Sequence, residues 1–244
     1  MIATSPSAKT FVLIHGASHG GWCYDRVATI LRAQGHQVYT PTLSGLAERA
    51  SMDVRQINLT THIDEIVTLF EQESLNDVIL CGHSYGGMVI GGVADRVPDR
   101  IVDLVFLDAV VPENDKCMND YIFPGWRLLP VLISVWLFGG GYKLKLPPAR
   151  FFKVNKADRA MVDRQLTPHP YATLTEKIRI GTNGDRIRNH TYIYAAGWGK
   201  TQITKQYELA KKRIGWNVFE INCGHDMMID APNELSRILG SLGG

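Results

Sequence analysis

The amino-acid sequence predicts an α/β protein with a mostly parallel central sheet and helices on both faces of that sheet. From Thr10 onward, short β-rich runs alternate with segments of helical periodicity, which is typical of parallel strands connected by helices. Several β-rich runs are apolar without alternation, as expected for strands that are covered on both faces. The chain has 244 residues, of which 45% are hydrophobic, and this suffices for one large domain with a sizeable core.

Six segments are predicted to be strands, and their composition indicates where each lies in the sheet. The runs that begin near Phe11, Val78, Val102 and Tyr192 are the most continuously apolar, so we expect them in the middle of the sheet. The six predicted strands are residues 11–14, 37–40, 77–81, 101–107, 191–194 and 217–221.

Helical patterns fill most of the intervals between these strands. The first is closed by Gly35, and the third ends before Pro98, which are ordinary signals for the end of a helix. The predicted helices are residues 24–33, 61–73, 86–96, 204–212 and 232–239.

Residues 112–188 interrupt this alternation and are predicted to form an inserted lid within the single domain. The segment is rich in Pro, Trp and Phe, and its aromatic density indicates a cover over an apolar site. Trp126 and Trp136 are therefore predicted to contact substrate. For most of the lid aromatics, packing within the core of the lid itself is the alternative.

Charge and cysteine content exclude several classes of function. The 26 basic and 24 acidic side chains leave a net charge of +2 and no basic stripe, so we expect no nucleic-acid partner. The four cysteines form no Cys-x-x-Cys pair, and no secretory signal is visible, so reduced thiols and a cytoplasmic location are expected. The longest apolar run, residues 128–138, is shorter than the roughly 20 residues of a spanning helix, and we expect no membrane partner.

The strongest functional signal is the segment Gly82-His-Ser-Tyr-Gly-Gly87, which directly follows a predicted strand and opens a predicted helix. A sharp strand-to-helix turn needs small residues two positions before and two positions after the serine, because the chain passes too close there for a Cβ. The turn exposes the serine hydroxyl at a helix N-terminus, where negative charge is stabilised. The pattern predicts that Ser84 is a catalytic nucleophile.

A serine nucleophile needs a base and an oxyanion hole. His225 lies after the last predicted strand, in Cys-Gly-His-Asp, and is the predicted base. The amides of Tyr85 and Ala17 are the predicted oxyanion donors, and Ser18 in the glycine-rich loop is expected to contact substrate. His15-x-x-x-His lacks a third ligand, so no metal site is predicted.

Further motifs add to this pattern: His15-Gly-Ala-Ser-His-Gly-Gly, Thr42-Leu-Ser-Gly, Leu107-Asp-Ala-Val-Val-Pro, Leu166-Thr-Pro-His-Pro and Gly224-His-Asp-Met-Met. Together they resemble the α/β-hydrolases of the plant methylesterase and hydroxynitrile lyase group and their bacterial carboxylesterase relatives, some of which hydrolyse pyrethroid-type esters. The resemblance implies an α/β-hydrolase fold. The lyase branch carries a lysine and a threonine where this chain has Asp226 and Gly16, so cyanohydrin cleavage is not expected.

The acid of the predicted triad departs from the family pattern. The family acid follows the strand at residues 191–194, where the matching residue is Trp198, and no Asp or Glu lies between Asp185 and Glu208. Some hydrolases of this fold take the acid from the strand after the nucleophile helix, and Asp108 ends that strand. We therefore predict that Asp108 supports the base. A loop-capping role for this aspartate, or a chain without a working acid, is the alternative.

These features predict a serine carboxylic ester hydrolase that acts on small to medium apolar or aromatic esters through an acyl-enzyme. The mechanism requires no cofactor, and the partners expected are a small ester substrate and a second copy in a homodimer. Two alternatives stay open at this stage. One is a cofactor-free dioxygenase or lyase in which a His–Asp pair acts as base, and the other is a non-catalytic ligand-binding relative of such hydrolases.

Overall fold

A six-stranded parallel sheet forms the centre of the computed structural model, which describes residues 8–123 and 125–243. The strand order is β2-β1-β3-β4-β7-β8, and the two short strands β5 and β6 pair with each other in antiparallel fashion outside this sheet. The predicted α/β class with a parallel sheet is confirmed. The strands are β1 (Thr10–Ile14), β2 (Gln37–Tyr39), β3 (Val78–His83), β4 (Ile101–Leu107), β5 (Lys143–Leu144), β6 (His169–Pro170), β7 (Asn189–Ala195) and β8 (Trp216–Ile221).

All six predicted strands are present, and the four apolar ones lie in the middle of the sheet, as expected. Successive residues of β1 point to opposite faces: Phe11 and Leu13 pack into one core, and Val12 and Ile14 pack into the other. All four side chains are fully buried. Each contributes about 1.5 to 3 kcal/mol by burial, which explains why a central strand needs apolar residues on both faces.

Ten α-helices occur in the described part of the chain, and α1, α2, α3, α8 and α10 correspond to the five predicted ones. The predicted start of α2 is two residues late, because the Asn58 side chain accepts the Thr61 amide at 2.9 Å and caps the helix earlier. The helices are α1 (Asp25–Ala33), α2 (Leu59–Gln72), α3 (Gly86–Arg96), α4 (Met118–Ile122), α5 (Leu128–Phe138), α6 (Arg159–Gln165), α7 (Ala172–Thr175), α8 (Gln202–Ala210), α9 (Met227–Asp230) and α10 (Pro232–Ser241).

Between β4 and β7 the chain leaves the central sheet and forms α4 to α7 together with the β5–β6 pair. We propose that residues 112–188 of this excursion are the lid, and the name is used below in that sense. One part of the lid is bonded to the loop after β1: the Thr167 amide donates to the Ser18 carbonyl at 3.0 Å, and the Ser18 amide donates to His169 Nδ1 at 3.1 Å. Within residues 8–123 and 125–243, no helix combines the length and apolar character needed to cross a bilayer.

Candidate active site

The carboxyl ends of β3 and β4 bring Ser84 and Asp108 to the same edge of the sheet. The two strands are parallel neighbours in which His83 lies opposite Leu107, so the residue after each of them leaves the sheet side by side. The Ser84 amide donates to the Leu107 carbonyl at 3.2 Å. Both Ser84 and Asp108 have a positive φ, 53° and 43°, which is the strained backbone expected where side chains are presented at an active site.

The turn that carries Ser84 explains the two flanking glycines. A Cβ on Gly82 would lie 2.6 Å from the Gly86 carbonyl oxygen, and a Cβ on Gly86 would lie 2.7 Å from the Ile14 carbonyl oxygen. Ser84 itself is partly exposed at the start of α3, and its hydroxyl makes no hydrogen bond to another residue in the described part of the chain. The hydroxyl is therefore accessible, and its proton is free to pass to a base when a substrate arrives.

Asp108 and His225 form a short hydrogen bond, with 2.6 Å between Asp108 Oδ2 and His225 Nδ1. The carboxylate is fully buried and the imidazole is 4% exposed. Two backbone bonds hold Asp108 in place: its amide donates to the Ile193 carbonyl, and its Oδ1 accepts the Ala195 amide. An acceptor on Nδ1 selects the tautomer in which Nε2 carries a lone pair, which is the form that can take a proton from a serine.

Trp198 covers the imidazole instead of supplying the acid. Its ring lies 4.1 Å from the His225 ring at an interplanar angle of 28°, and Phe152 lies 5.8 Å away at a similar angle. The indole Nε1–H donates to the Phe151 carbonyl, which holds the ring in place. The two aromatic rings shield the bond between His225 and Asp108 from water, and the face of the indole favours a positive charge on the imidazole.

A second histidine–carboxylate pair joins the loop after β1 to the loop of the base. His19 Nε2 lies 3.3 Å from Asp226 Oδ2, and His19 Nδ1 donates to the Ala17 carbonyl at 2.9 Å. His83 Nε2 donates to the His225 carbonyl at 3.0 Å. Because Ala17 is the predicted oxyanion donor, these contacts set the distance between the oxyanion loop and the base.

The surroundings of His19 and Asp226 favour the charged form of each. Burial opposes a charge on His19, but the adjacent Asp226 carboxylate and hydrogen bonds raise the pKa of His19 above the ordinary 6.5. Burial likewise opposes the charge on Asp226, but the His19 charge outweighs it and holds the pKa of this carboxyl well below its usual 3.8. The stabilisation is therefore full between roughly pH 4 and pH 6.5, falls as pH rises through the raised pKa of His19, and falls as pH drops toward the lowered pKa of Asp226.

Asp226→Asn is expected to lower the free energy of unfolding by about 2 kcal/mol at pH 6, because the buried His19 loses its counter-charge and must release its proton. The loss should shrink at pH 9, where His19 is less protonated in the unmodified chain as well. Urea unfolding at both pH values measures the difference. Asp53→Asn is the control, because Asp53 is exposed and its pair with Arg55 lies in water. A loss that is equal at both pH values would contradict a charged His19.

Two further buried histidines are neutral and hold the surroundings of Ser84. Burial lowers the pKa of His62 to about 4, and its Nδ1 accepts the Tyr85 hydroxyl at 2.9 Å while its Nε2 donates to the Ser44 carbonyl. Burial also holds the pKa of His169 well below its usual range. Its Nδ1 accepts the Ser18 amide, which requires an unprotonated nitrogen. These bonds fix the side chain of the residue after the nucleophile and the loop that faces it.

The predicted oxyanion donors have free amides. Within residues 8–123 and 125–243, neither the Ala17 nor the Tyr85 amide donates a hydrogen bond. Ser18 has a buried hydroxyl that lacks a partner in the same part of the chain, and its contact with substrate stays a prediction. Trp126 and Trp136 differ from the other predicted residues, since they are 80% and 76% exposed.

Several residues of the site were not predicted from the sequence. The sequence assigns His19 no role, since its spacing from His15 predicts no metal site and His225 is the predicted base. Asp226 and Trp198 were noted only as departures from family positions. The contact between His19 and Asp226 spans 207 positions in the chain, and no local pattern in the sequence signals it.

Comparison with known proteins decides the family. The model of the alpha/beta hydrolase family matches residues 11–238. The chain belongs to the α/β hydrolase family. This confirms the predicted fold and resemblance. A carbendazim hydrolyzing esterase from a Nocardioides species is 40% identical over 96% of this chain and 99% of that protein.

Solved structures support the same assignment. An extracellular α/β-hydrolase from a Paenibacillus species superposes with a TM-score of 0.79 and 26% identity, over 95% of this chain and 97% of that chain. It is described as sharing structural and functional homology with tobacco salicylic acid binding protein 2. A pyrethroid hydrolase from Sphingobium faniae has a TM-score of 0.78 over 97% of this chain and 98% of its own, and its 21% identity speaks for the fold alone.

Proposed function

We propose that this α/β hydrolase is a serine carboxylic ester hydrolase that uses Ser84, His225 and Asp108. The observation that carries the proposal is the 2.6 Å bond between Asp108 and His225, formed at the strand end beside Ser84. This bond supports Asp108 as the acid, in a chain whose usual family position holds Trp198. The hydrolase class itself follows from family membership and from the esterase that matches over the full length.

The reaction proceeds in two halves. In the first, His225 Nε2 takes the proton of the Ser84 hydroxyl while Oγ attacks the ester carbonyl, and the tetrahedral intermediate collapses as His225 returns the proton to the leaving alcohol. In the second, water attacks the acyl-enzyme with His225 again as base, and the acid leaves. Asp108 stays ionised throughout and stabilises the imidazolium.

The oxygen that becomes negative is held by the amides of Ala17 and Tyr85. Both amides lack acceptors among the residues that the structure describes, and Tyr85 lies at the N-terminus of the eleven-residue helix α3, whose dipole favours negative charge. The pair of His19 with Asp226 keeps the Ala17 loop rigid, so the amide is positioned before the reaction starts. Preorganised donors of this kind commonly account for about 10² to 10³ in turnover each.

The substrate is expected to be a small to medium ester with an apolar or aromatic portion. Trp198 and Phe152 provide aromatic surface beside His225. The named substrate of the Nocardioides relative makes carbendazim the first compound to assay after simple esters. The predicted contacts of Trp126 and Trp136 with substrate, the homodimer and the cytoplasmic location stay predictions.

Hydrolysis of p-nitrophenyl butyrate, combined with labelling by diethyl p-nitrophenyl phosphate, tests this proposal. The purified chain should hydrolyse the ester, and the phosphate should inactivate it stoichiometrically by adding a diethylphosphoryl group to the peptide that contains Ser84. The Ser84→Ala variant should take up no label. Hydrolysis that persists after complete labelling, or a label on another residue, would exclude the serine mechanism.

A further inference from the structure

Helix α5 of the lid turns an apolar face outward. Its sequence is apolar nearly all round, yet only Val135 is buried, with Val131 packed beside the core. A helix that is apolar on every face is normally covered on every face. The outward residues recur at the spacing of a single helical stripe and are 44% to 76% exposed: Leu129, Leu132, Ile133, Trp136 and Leu137.

The stripe belongs to a larger exposed apolar patch. Twelve large apolar side chains are exposed in the part of the chain that the structure describes, and nine of them lie between residues 126 and 151. Beside the stripe these are Trp126, Phe138, Tyr142 and Phe151. Single exposed apolar residues are ordinary, but so many within 26 consecutive positions indicate a surface that binds something.

The segment that carries this patch has charges of one sign. Residues 121–157 contain no Asp or Glu and carry six basic residues, so this segment has a charge of +6, whereas the whole chain has +2 and the other residues together have −4. The acidic Asp53 near Lys143 is neutralised by Arg55. The basic residues of the segment are Arg127, Lys143, Lys145, Arg150, Lys153 and Lys156.

We propose that α5 and its basic surroundings dock on the surface of an anionic phospholipid bilayer. An apolar stripe with tryptophans at Trp126 and Trp136 and a basic border matches a helix that lies in the interface between headgroups and acyl chains. A second copy fits less well, because a two-fold contact would place this patch against itself and set basic residues against basic residues. The sequence-based expectation of no membrane partner rested on helix length, which an interfacial helix does not need.

Sedimentation of the full chain with vesicles tests the proposal. The experiment measures binding only, so its result does not depend on ester hydrolysis. With vesicles of equal parts phosphatidylcholine and phosphatidylglycerol, partitioning should be at least about tenfold stronger than with phosphatidylcholine alone, and it should fall when NaCl is raised to about 0.5 M. Reversing three exposed charges, Arg127→Glu/Lys145→Glu/Arg150→Glu, should weaken it by about 100-fold. Ile133→Gln/Leu137→Gln should weaken it by about tenfold.

Matched variants away from the lid serve as controls. Lys200→Glu/Lys205→Glu/Lys212→Glu makes the same charge change at exposed positions, and Leu209→Gln/Ile214→Gln removes two exposed apolar side chains. Both controls should weaken partitioning far less than the two lid variants do. The melting temperature of all four variants should equal that of the unmodified chain. The proposal is overturned if no partitioning occurs at low salt, if the lid variants partition as the unmodified chain does, or if light scattering shows a dimer that Ile133→Gln/Leu137→Gln dissociates while vesicles do not bind.

Discussion

Ser84→Ala is expected to reduce kcat/KM for p-nitrophenyl butyrate by about 10⁶-fold, because no other group can form the acyl-enzyme. The fold should be retained. Alanine keeps the Cβ of serine, so the strain at φ 53° is the same in both chains, and the Ser84 hydroxyl makes no hydrogen bond within the described residues that could be lost. Initial rates at several ester concentrations and a thermal melt of the same preparation measure both quantities.

Ser236→Ala is a suitable control for this change. Ser236 is fully buried, and its hydroxyl lacks a partner in the part of the chain that the structure describes, so its loss should alter neither turnover nor stability appreciably. If Ser84→Ala retained substantial activity, the nucleophile would not be this serine. The alternative in which a His–Asp pair acts as base on the substrate would then be favoured, since that chemistry can survive without the hydroxyl.

Asp108→Asn is expected to lower kcat by about 10⁴-fold with little change in melting temperature. Asparagine fills the same volume, tolerates the positive φ of 43°, and keeps an oxygen that can accept the Ala195 amide. Its amide group, however, donates toward His225 Nδ1 and so selects the tautomer in which Nε2 is already protonated. The base is then unable to take the Ser84 proton, although every atom of the site remains near its place.

Asp103→Asn separates this effect from a general response to removing a buried carboxyl. Asp103 lies on the same strand, β4, and is 1% exposed, but it lies near the opposite end and its partner is the Thr191 hydroxyl at 3.0 Å. Burial raises the pKa of Asp103 to about 6, so a neutral asparagine costs little there. Turnover of this variant should be close to that of the unmodified chain. Near-normal turnover of Asp108→Asn would show that Asp108 is not the acid. Glu208, the first carboxyl group after Trp198 in the chain, would then be the next candidate.

Local pattern predicted the elements that local interactions create. The glycines around Ser84 belong to a single turn of five residues, so a local pattern reveals them. The close approach of Gly86 to the Ile14 carbonyl explains why this position has no side chain. The apolar character of β1, β3, β4 and β7 predicted their central positions, because both faces of such strands are covered. The start of α2 was missed because the cap formed by Asn58 depends on one side-chain bond that periodicity does not reveal.

The sequence by itself determined the fold class and which four strands lie in the middle of the sheet. It also determined the tight turn at Ser84 and the position of His225 after the last strand. The resemblance to hydrolases that take the acid from the strand after the nucleophile helix led to Asp108 as the predicted acid. Only the tertiary structure decided that His19 pairs with Asp226, that Trp198 stacks on the base, and that α5 turns an apolar stripe outward. The physical reason is that these contacts join loops far apart in the chain, and their distances depend on how the whole sheet and lid pack.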